Sequence, residues 1–104
     1  MTTKAEFTRI MKDLEKMHKL ALEMAREYET TRALYDLRKD VGDKISDTFR
    51  EIDHLHDVAE RIPTMPSYRN IGYERERLHT LMEYREKINK EIKSIEKSMR
   101  MPRS

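Results

Sequence analysis

The feature that most constrains the fold is a regular apolar repeat near the C-terminus. The repeat consists of Leu78, Leu81, Arg85, Ile88, Ile92, Ile95 and Met99. Spacings of three and four residues place these side chains on one face of an α-helix, and a period of about 3.5 residues is typical of helices that pair at a shallow angle. We therefore expect a long C-terminal helix that packs against another helix.

Two earlier stretches carry the same helical spacing. The first comprises Phe7, Ile10, Leu14, Met17, Ala21, Met24 and Tyr28, followed by Leu34, Leu37 and Val41, and the second comprises Ile45, Phe49, Ile52, Leu55, Ala59 and Ile62. Thr3 and Glu6 have the spacing of a capping box, which predicts a helix start. Gly42 is a residue type that commonly ends helices, so we expect a break there.

The composition favours helices throughout. Two glycines and three prolines leave few places for turns, and the absence of cysteine excludes disulfides and thiol-bound metals. Two of the prolines, Pro63 and Pro66, mark a loop, because proline lacks an amide donor and disfavours a helical residue before it. The prediction is a single all-α domain, residues 1–104, with helices over about 3–41, 44–62 and 71–101 and a loop over 63–70. The expected architecture is an antiparallel helical hairpin or three-helix bundle with one long N-terminal helix and coiled-coil-like packing.

The predicted helices differ in length, at roughly 57, 30 and 45 Å. Part of the first apolar stripe would then extend past the other two helices and need a partner to cover it. This mismatch predicts a non-enzymatic regulatory or adaptor protein that forms a homodimer or binds another protein. The candidate interface residues are Phe7, Met11, Leu14, Met17, Met24, Tyr28 and Tyr35. No stretch has the length of a signal peptide or a membrane span, so the predicted location is the cytoplasm, without membrane binding.

An alternative function is RNA binding. A basic stripe on the last helix and an aromatic and arginine cluster near the loop offer phosphate contacts and stacking surfaces. The residues are Lys87, Lys90, Lys93, Lys97 and Arg100 in the stripe, and Tyr68, Arg69, Tyr73, Arg75 and Arg77 in the cluster. Glutamates Glu86, Glu91 and Glu96 dilute the charge of the stripe, and Arg77 can instead pair with an acid such as Glu74.

A third hypothesis is a metal-binding helical bundle. Glutamate precedes histidine by three residues in Glu15…His18, Glu51…His54 and Glu76…His79, which is the spacing of di-metal carboxylate bundles. The apolar stripes place these pairs on solvated faces, which argues against a metal site. No catalytic motif, cofactor signature or small-molecule substrate site is recognisable, so we expect no enzyme activity.

Overall fold

The computed structural model describes residues 3–62 and 65–100, which form three helices. They are α1 (Lys4–Tyr28), α2 (Arg32–Arg61) and α3 (Met65–Arg100). The described residues contain no strand, so the all-α prediction is confirmed. At the start of α1, the Glu6 amide donates to the Thr3 hydroxyl oxygen at 3.1 Å, as the capping pattern predicts.

The predicted long N-terminal helix is two helices. The chain leaves α1 after Tyr28, because Glu29 adopts a left-handed conformation with φ 50° and ψ 42°. Two threonines follow, and the Arg32 amide lies 3.3 Å from the Thr30 hydroxyl oxygen that accepts its hydrogen bond. Threonine hydroxyls compete with the helix for backbone groups, and the turn folds α1 back against the bundle. The longest helix is therefore the C-terminal one, with 36 residues.

The predicted break at Gly42 does not occur. Gly42 lies inside α2, which continues for 30 residues. Its neighbours Val41 and Ile45 are buried in the core. Packing of this apolar face outweighs the low helix propensity of glycine, which costs roughly 0.5–1 kcal/mol relative to alanine.

The third helix begins at Met65, about six residues earlier than predicted. Pro66 falls in its first turn, where amides have no partner within the helix and proline is therefore tolerated. The predicted loop residues 67–70 are thus helical. Of that loop, Pro63 and Thr64 lie outside the described residues, as does the predicted last helical residue, Met101.

The three helices run up, down and up. α2 is antiparallel to both neighbours, and α3 returns alongside α1, where His18 contacts Tyr84 and Glu91. The main core comprises Leu14, Ala21, Ala25, Leu34, Leu37, Val41, Ile45, Leu81, Ile88 and Ile92. The described molecule is elongated, with extents of 65 × 22 × 15 Å.

One end of the molecule contains only two helices. Phe7, near the start of α1, lies beside Arg77 of α3, so the first turns of α3 and the last turns of α2 extend past α1. A separate small core of Leu55, Ala59 and Ile71 holds this hairpin together.

Candidate functional site

A buried polar network joins α1 to α3. The His18 side chain, in a residue only 7% exposed, contacts Glu91 through Nε2 and Tyr84 through Nδ1. The Tyr84 hydroxyl lies 2.7 Å from Nδ1, and the two rings meet edge to face with centroids 5.4 Å apart. The contact between Nε2 and Glu91 Oε2 is short enough for a hydrogen bond or an ion pair.

The proton positions in this network follow from its partners. An ionised Glu91 only accepts, so Nε2 donates to it and Nδ1 of a neutral imidazole accepts the Tyr84 proton. Burial raises the pKa of Tyr84 to about 12, helped by the negative charges of Glu15 and Glu91. The phenol therefore stays protonated at neutral pH and can donate to Nδ1 of a neutral imidazole. Every polar atom of the network has a partner, which makes it a polar cross-link between two helices.

His18 corrects the expectation that the histidines lie on solvated faces. The buried line of α1 is Leu14, His18, Ala21 and Ala25, which shares Leu14 and Ala21 with the predicted stripe but is turned by about 50° around the helix. Small alanines allow α2 to approach α1 closely on this side. Which edge of the stripe is buried depends on where α2 and α3 lie. The sequence of α1 alone does not carry that information.

The Glu-x-x-His pairs do not converge. His18 bonds to Glu91 and Tyr84, while His79 pairs at 2.7 Å with Glu83 on an exposed surface. His54 is exposed on α2. Throughout residues 3–62 and 65–100, no three histidine, aspartate or glutamate side chains are close enough to hold one metal ion. The arrangement that a di-metal bundle requires is therefore not built by these pairs.

A second apolar stripe lies on the outside of α1. Met17, Leu20, Met24 and Tyr28 are 40%, 60%, 42% and 70% exposed. At about 100° per residue they occupy an arc of roughly 80° of the helix surface. We call these four residues the outer stripe. They form a contiguous apolar strip beside the buried line of α1.

The predicted interface residues divide between the core and this surface. Leu14 is buried, and Phe7 and Met11 are partly buried against the core, so these three are covered within the chain. Met17, Met24 and Tyr28 belong to the outer stripe. Leu20 was missed because it lies one position off the regular spacing.

Tyr35, the remaining predicted interface residue, is engaged within the chain although it is exposed. Its hydroxyl donates to Glu96, and the Arg38 guanidinium lies 4.6 Å from the centre of its ring. Tyr35 thus helps to join α2 to α3.

The outer face of α3 carries a strip of lysines. Lys87, Lys90, Lys93 and Lys97 are all exposed. The carboxylates of two nearby glutamates bond to other parts of the bundle, Glu91 to His18 and Glu96 to Tyr35 and Thr31. Glu86 remains exposed at the N-terminal end of the strip. We call these four lysines the lysine face; the side chain of Arg100, predicted to continue it, lies outside the described part of the chain.

The predicted tyrosine and arginine cluster is not one surface. Tyr68, Arg69, Tyr73 and Arg75 are exposed, but helical spacing places Tyr68 and Arg75 on one flank of α3 and the other two on the opposite flank. Arg75 lies 3.3 Å from His56 Nε2. No single platform for stacked bases results.

Arg77 leaves the cluster altogether. Its guanidinium is 2.5 Å from a carboxylate oxygen of Glu74, whose side chain is 3% exposed, and its own side chain is 13% exposed. Arg77 also lies over the Phe7 ring, 5.7 Å from its centre. The alternative in which Arg77 pairs with Glu74 is therefore confirmed. The ion pair covers the end of the core near the start of α1.

The chain matches no family model, curated protein or solved structure. None of the described helices has both the length and the apolar composition that crossing a bilayer requires. The outer stripe and the lysine face are the two candidate functional surfaces.

Proposed function

We propose that this chain is a non-enzymatic regulator or adaptor that binds a protein partner through the outer stripe of α1. The observation that carries the proposal is the contiguity of Met17, Leu20, Met24 and Tyr28, four large apolar side chains exposed on one helix face. Single exposed apolar residues are ordinary, whereas contiguous patches mark interaction surfaces. Methionine adapts to the shape of a partner, and tyrosine is enriched at interface hot spots.

The outer stripe does not depend on a difference in helix length. Because α1 ends at Tyr28, its inner side chains Leu14, Ala21 and Ala25 are covered by the other helices, and no overhanging stripe remains. The inner contacts fold the stripe onto a packed helix, and a surface that is already helical before binding lowers the entropic cost of association.

The flanks of the stripe favour a protein over a lipid surface. They carry both charge signs, with Lys12 and Lys16 on the first half of α1 and Glu23 and Glu27 on the second. Helices that lie on anionic membranes have polar faces rich in lysine and arginine. Mixed flanks match the polar rim of a protein interface.

A photo-crosslinking amino acid in place of Leu20 tests this proposal in the cells that make the protein. We expect irradiation to join the chain covalently to a protein. The control places the same group at Ile62, which is 61% exposed against 60% for Leu20 but lies at the end of α2. Equal crosslinking at both positions, or none at Leu20, would contradict the proposal.

The lysine face supports a second candidate function, binding of RNA or another polyanion. The supporting observation is that Lys87, Lys90, Lys93 and Lys97 are all exposed along α3, while the carboxylates of Glu91 and Glu96 are turned toward His18 and Tyr35. Contacts of this kind release counterions from a polyanion, so the affinity should fall steeply with salt.

Fluorescence anisotropy with a labelled single-stranded RNA tests this candidate. Lys90→Glu/Lys97→Glu should lower the affinity at least about tenfold and reduce the salt dependence. The matched control is Lys4→Glu/Lys39→Glu, which changes the net charge equally at exposed positions on α1 and α2. The same loss of affinity in both variants would indicate attraction to net charge alone.

A further inference from the structure

The charges beside the outer stripe are segregated along α1. Lys12 and Lys16 lie on the first half of α1, and Glu23 and Glu27 lie on its second half. All four side chains are exposed, and within the described part of the chain none of them forms an ion pair. Like charges four residues apart destabilise a helix by a few tenths of a kcal/mol. Each pair thus places two like charges one helical turn apart beside an exposed apolar surface.

The two clusters are related by symmetry. Lys16 and Glu23 are centred on the point between Lys19 and Leu20, and so are Lys12 and Glu27. A twofold axis through that point would bring each lysine of one helix opposite the matching glutamate of an antiparallel copy. The same axis would place Leu20, a central residue of the outer stripe, next to its own symmetry mate.

We propose that the outer stripe binds a second copy of this chain, with the two α1 helices packed antiparallel about this axis. The inference rests on the proposed function, because it names the partner of the same surface. Met17, Leu20 and Met24 of each copy form the apolar centre of the contact. Lys16 opposite Glu23 and Lys12 opposite Glu27, each pair occurring twice by symmetry, set the direction and register.

Charge selects the antiparallel arrangement over the parallel one. At about 100° per residue, all four charged side chains lie on one side of the outer stripe. In a parallel pair this side would meet the opposite side of the stripe on the other copy, so the four charges would gain no partner. In the antiparallel pair every flanking contact is attractive. A twofold contact uses the same patch on both copies, which a self-complementary charge pattern requires. Flanking charges select partner and orientation in helix pairs generally.

The contact is small, which sets the expected strength. One face of a single helix per copy lies near the lower end of stable interfaces, roughly 1,200 Å² in total. We expect a dimer that dissociates on dilution into the low micromolar range and weakens in high salt. The lysine face is on α3, so both copies retain it at the surface of the dimer.

Sedimentation equilibrium of the purified full chain gives the first test. At several hundred micromolar and low salt, the mass should approach twice the 12.6 kDa of one chain. Leu20→Glu should return it to that of a single chain, because two carboxylates would meet at the axis. Ile62→Glu, the change at an equally exposed apolar position, should leave the dimer intact. A wild-type monomer at every concentration, or a dimer insensitive to Leu20→Glu, would overturn the proposal.

Charge exchange tests the direction and register. Lys12→Glu/Lys16→Glu and Glu23→Lys/Glu27→Lys should each be monomeric alone, because like charges then face each other. The variant with all four changes should dimerise with itself, because each attractive contact is restored with its signs reversed. It should not pair with the wild-type chain in the antiparallel arrangement. Mixed dimers of these two would refute the proposed axis.

The crosslink at Leu20 separates failure of this inference from failure of the proposed function. An adduct of twice the chain mass supports self-association. An adduct with a different protein, from a chain that is monomeric when purified, overturns the antiparallel dimer and leaves the protein-binding function standing. A monomer without any adduct at Leu20 overturns both.

Discussion

Individual residues account for the connection between α1 and α3. His18 satisfies two partners on α3 at once, Tyr84 through Nδ1 and Glu91 through Nε2. Glu96 performs a similar role for Tyr35 on α2. In both cases a side chain of a type usually exposed to water bonds inward, because a partner on a neighbouring helix satisfies it.

The first prediction at this scale concerns the His18 network. His18→Ala leaves the Tyr84 hydroxyl and the Glu91 carboxylate without their partner and opens a space in the core. We expect the free energy of unfolding in urea to fall by about 1–3 kcal/mol. His54→Ala, at an exposed position, is the control and should change it by less than about 0.5 kcal/mol. Equal effects of the two changes would show that the network adds no stability.

The second prediction concerns the ionisation of Tyr84. Its pKa of about 12 exceeds the ordinary value of about 10 for tyrosine. Between these values the unfolded chain binds fewer protons at this group, so the free energy of unfolding should fall as the pH rises from about 10 to about 12. Absorbance titration of the phenolate should show one late-titrating tyrosine that disappears in Tyr84→Phe. A late step that persists in this variant would belong to another tyrosine.

Helix boundaries depend on competition between local preference and packing. Glycine inside α2 does not interrupt it, because Val41 and Ile45 are held in the core on either side of Gly42. Two threonines and one left-handed glutamate do end α1. A helix there would have carried the stripe away from the bundle, so the turn gains core contacts that a continuous helix would lose.

The continuity of α2 predicts the effect of Gly42→Ala. A Cβ added at Gly42 meets nothing within 4 Å, and the alanine restricts the unfolded chain. The free energy of unfolding should rise by about 0.5–1 kcal/mol. Helical content measured by circular dichroism should not change. A loss of stability would indicate a bend in α2 at this position.

The turn after α1 predicts the opposite behaviour for two glutamates. Glu29 has φ 50°, a conformation that costs residues with a Cβ roughly 1–2 kcal/mol. Glu29→Gly should therefore raise the free energy of unfolding by about 1 kcal/mol. The same change at Glu76, exposed within α3, should lower it by about 0.5–1 kcal/mol. Effects of the same sign in thermal or urea unfolding would contradict the assigned turn.

The whole molecule is stabilised unevenly along its length. The three-helix part has a continuous core, whereas the two-helix end depends on Leu55, Ala59 and Ile71. Fewer buried contacts mean a lower free energy for local opening. We therefore expect the three-helix part, which carries the outer stripe and the lysine face, to be more stable than the two-helix end. We call the two-helix end the tip.

Hydrogen exchange measures this difference directly. Backbone amides over residues 55–61 of α2 should exchange faster than those over residues 34–45, which pack against both other helices. Leu55→Ala should accelerate exchange at the tip and leave the three-helix part nearly unchanged. Uniform protection along α2 would show that the molecule opens as one unit.

The sequence by itself determined that the chain is helical and where the strongest apolar faces lie. Few turn-forming residues and regular three- and four-residue spacings specify helices locally, and the α3 repeat of Leu81, Ile88 and Ile92 is buried as predicted. The Thr3 cap also follows from local sequence. These features depend on interactions within a few residues of the chain.

Tertiary structure alone decided the end of α1, the face of α1 that is buried and the inward direction of His18, Glu91 and Glu96. These outcomes depend on contacts between side chains 61 to 73 residues apart in the sequence. The local spacing of apolar residues does not predict such contacts. Polar residues at the edge of an apolar stripe face water or a partner helix according to where that helix lies. The same placement left Leu20 exposed and turned the carboxylates of Glu91 and Glu96 toward His18 and Tyr35, so packing shaped both candidate surfaces.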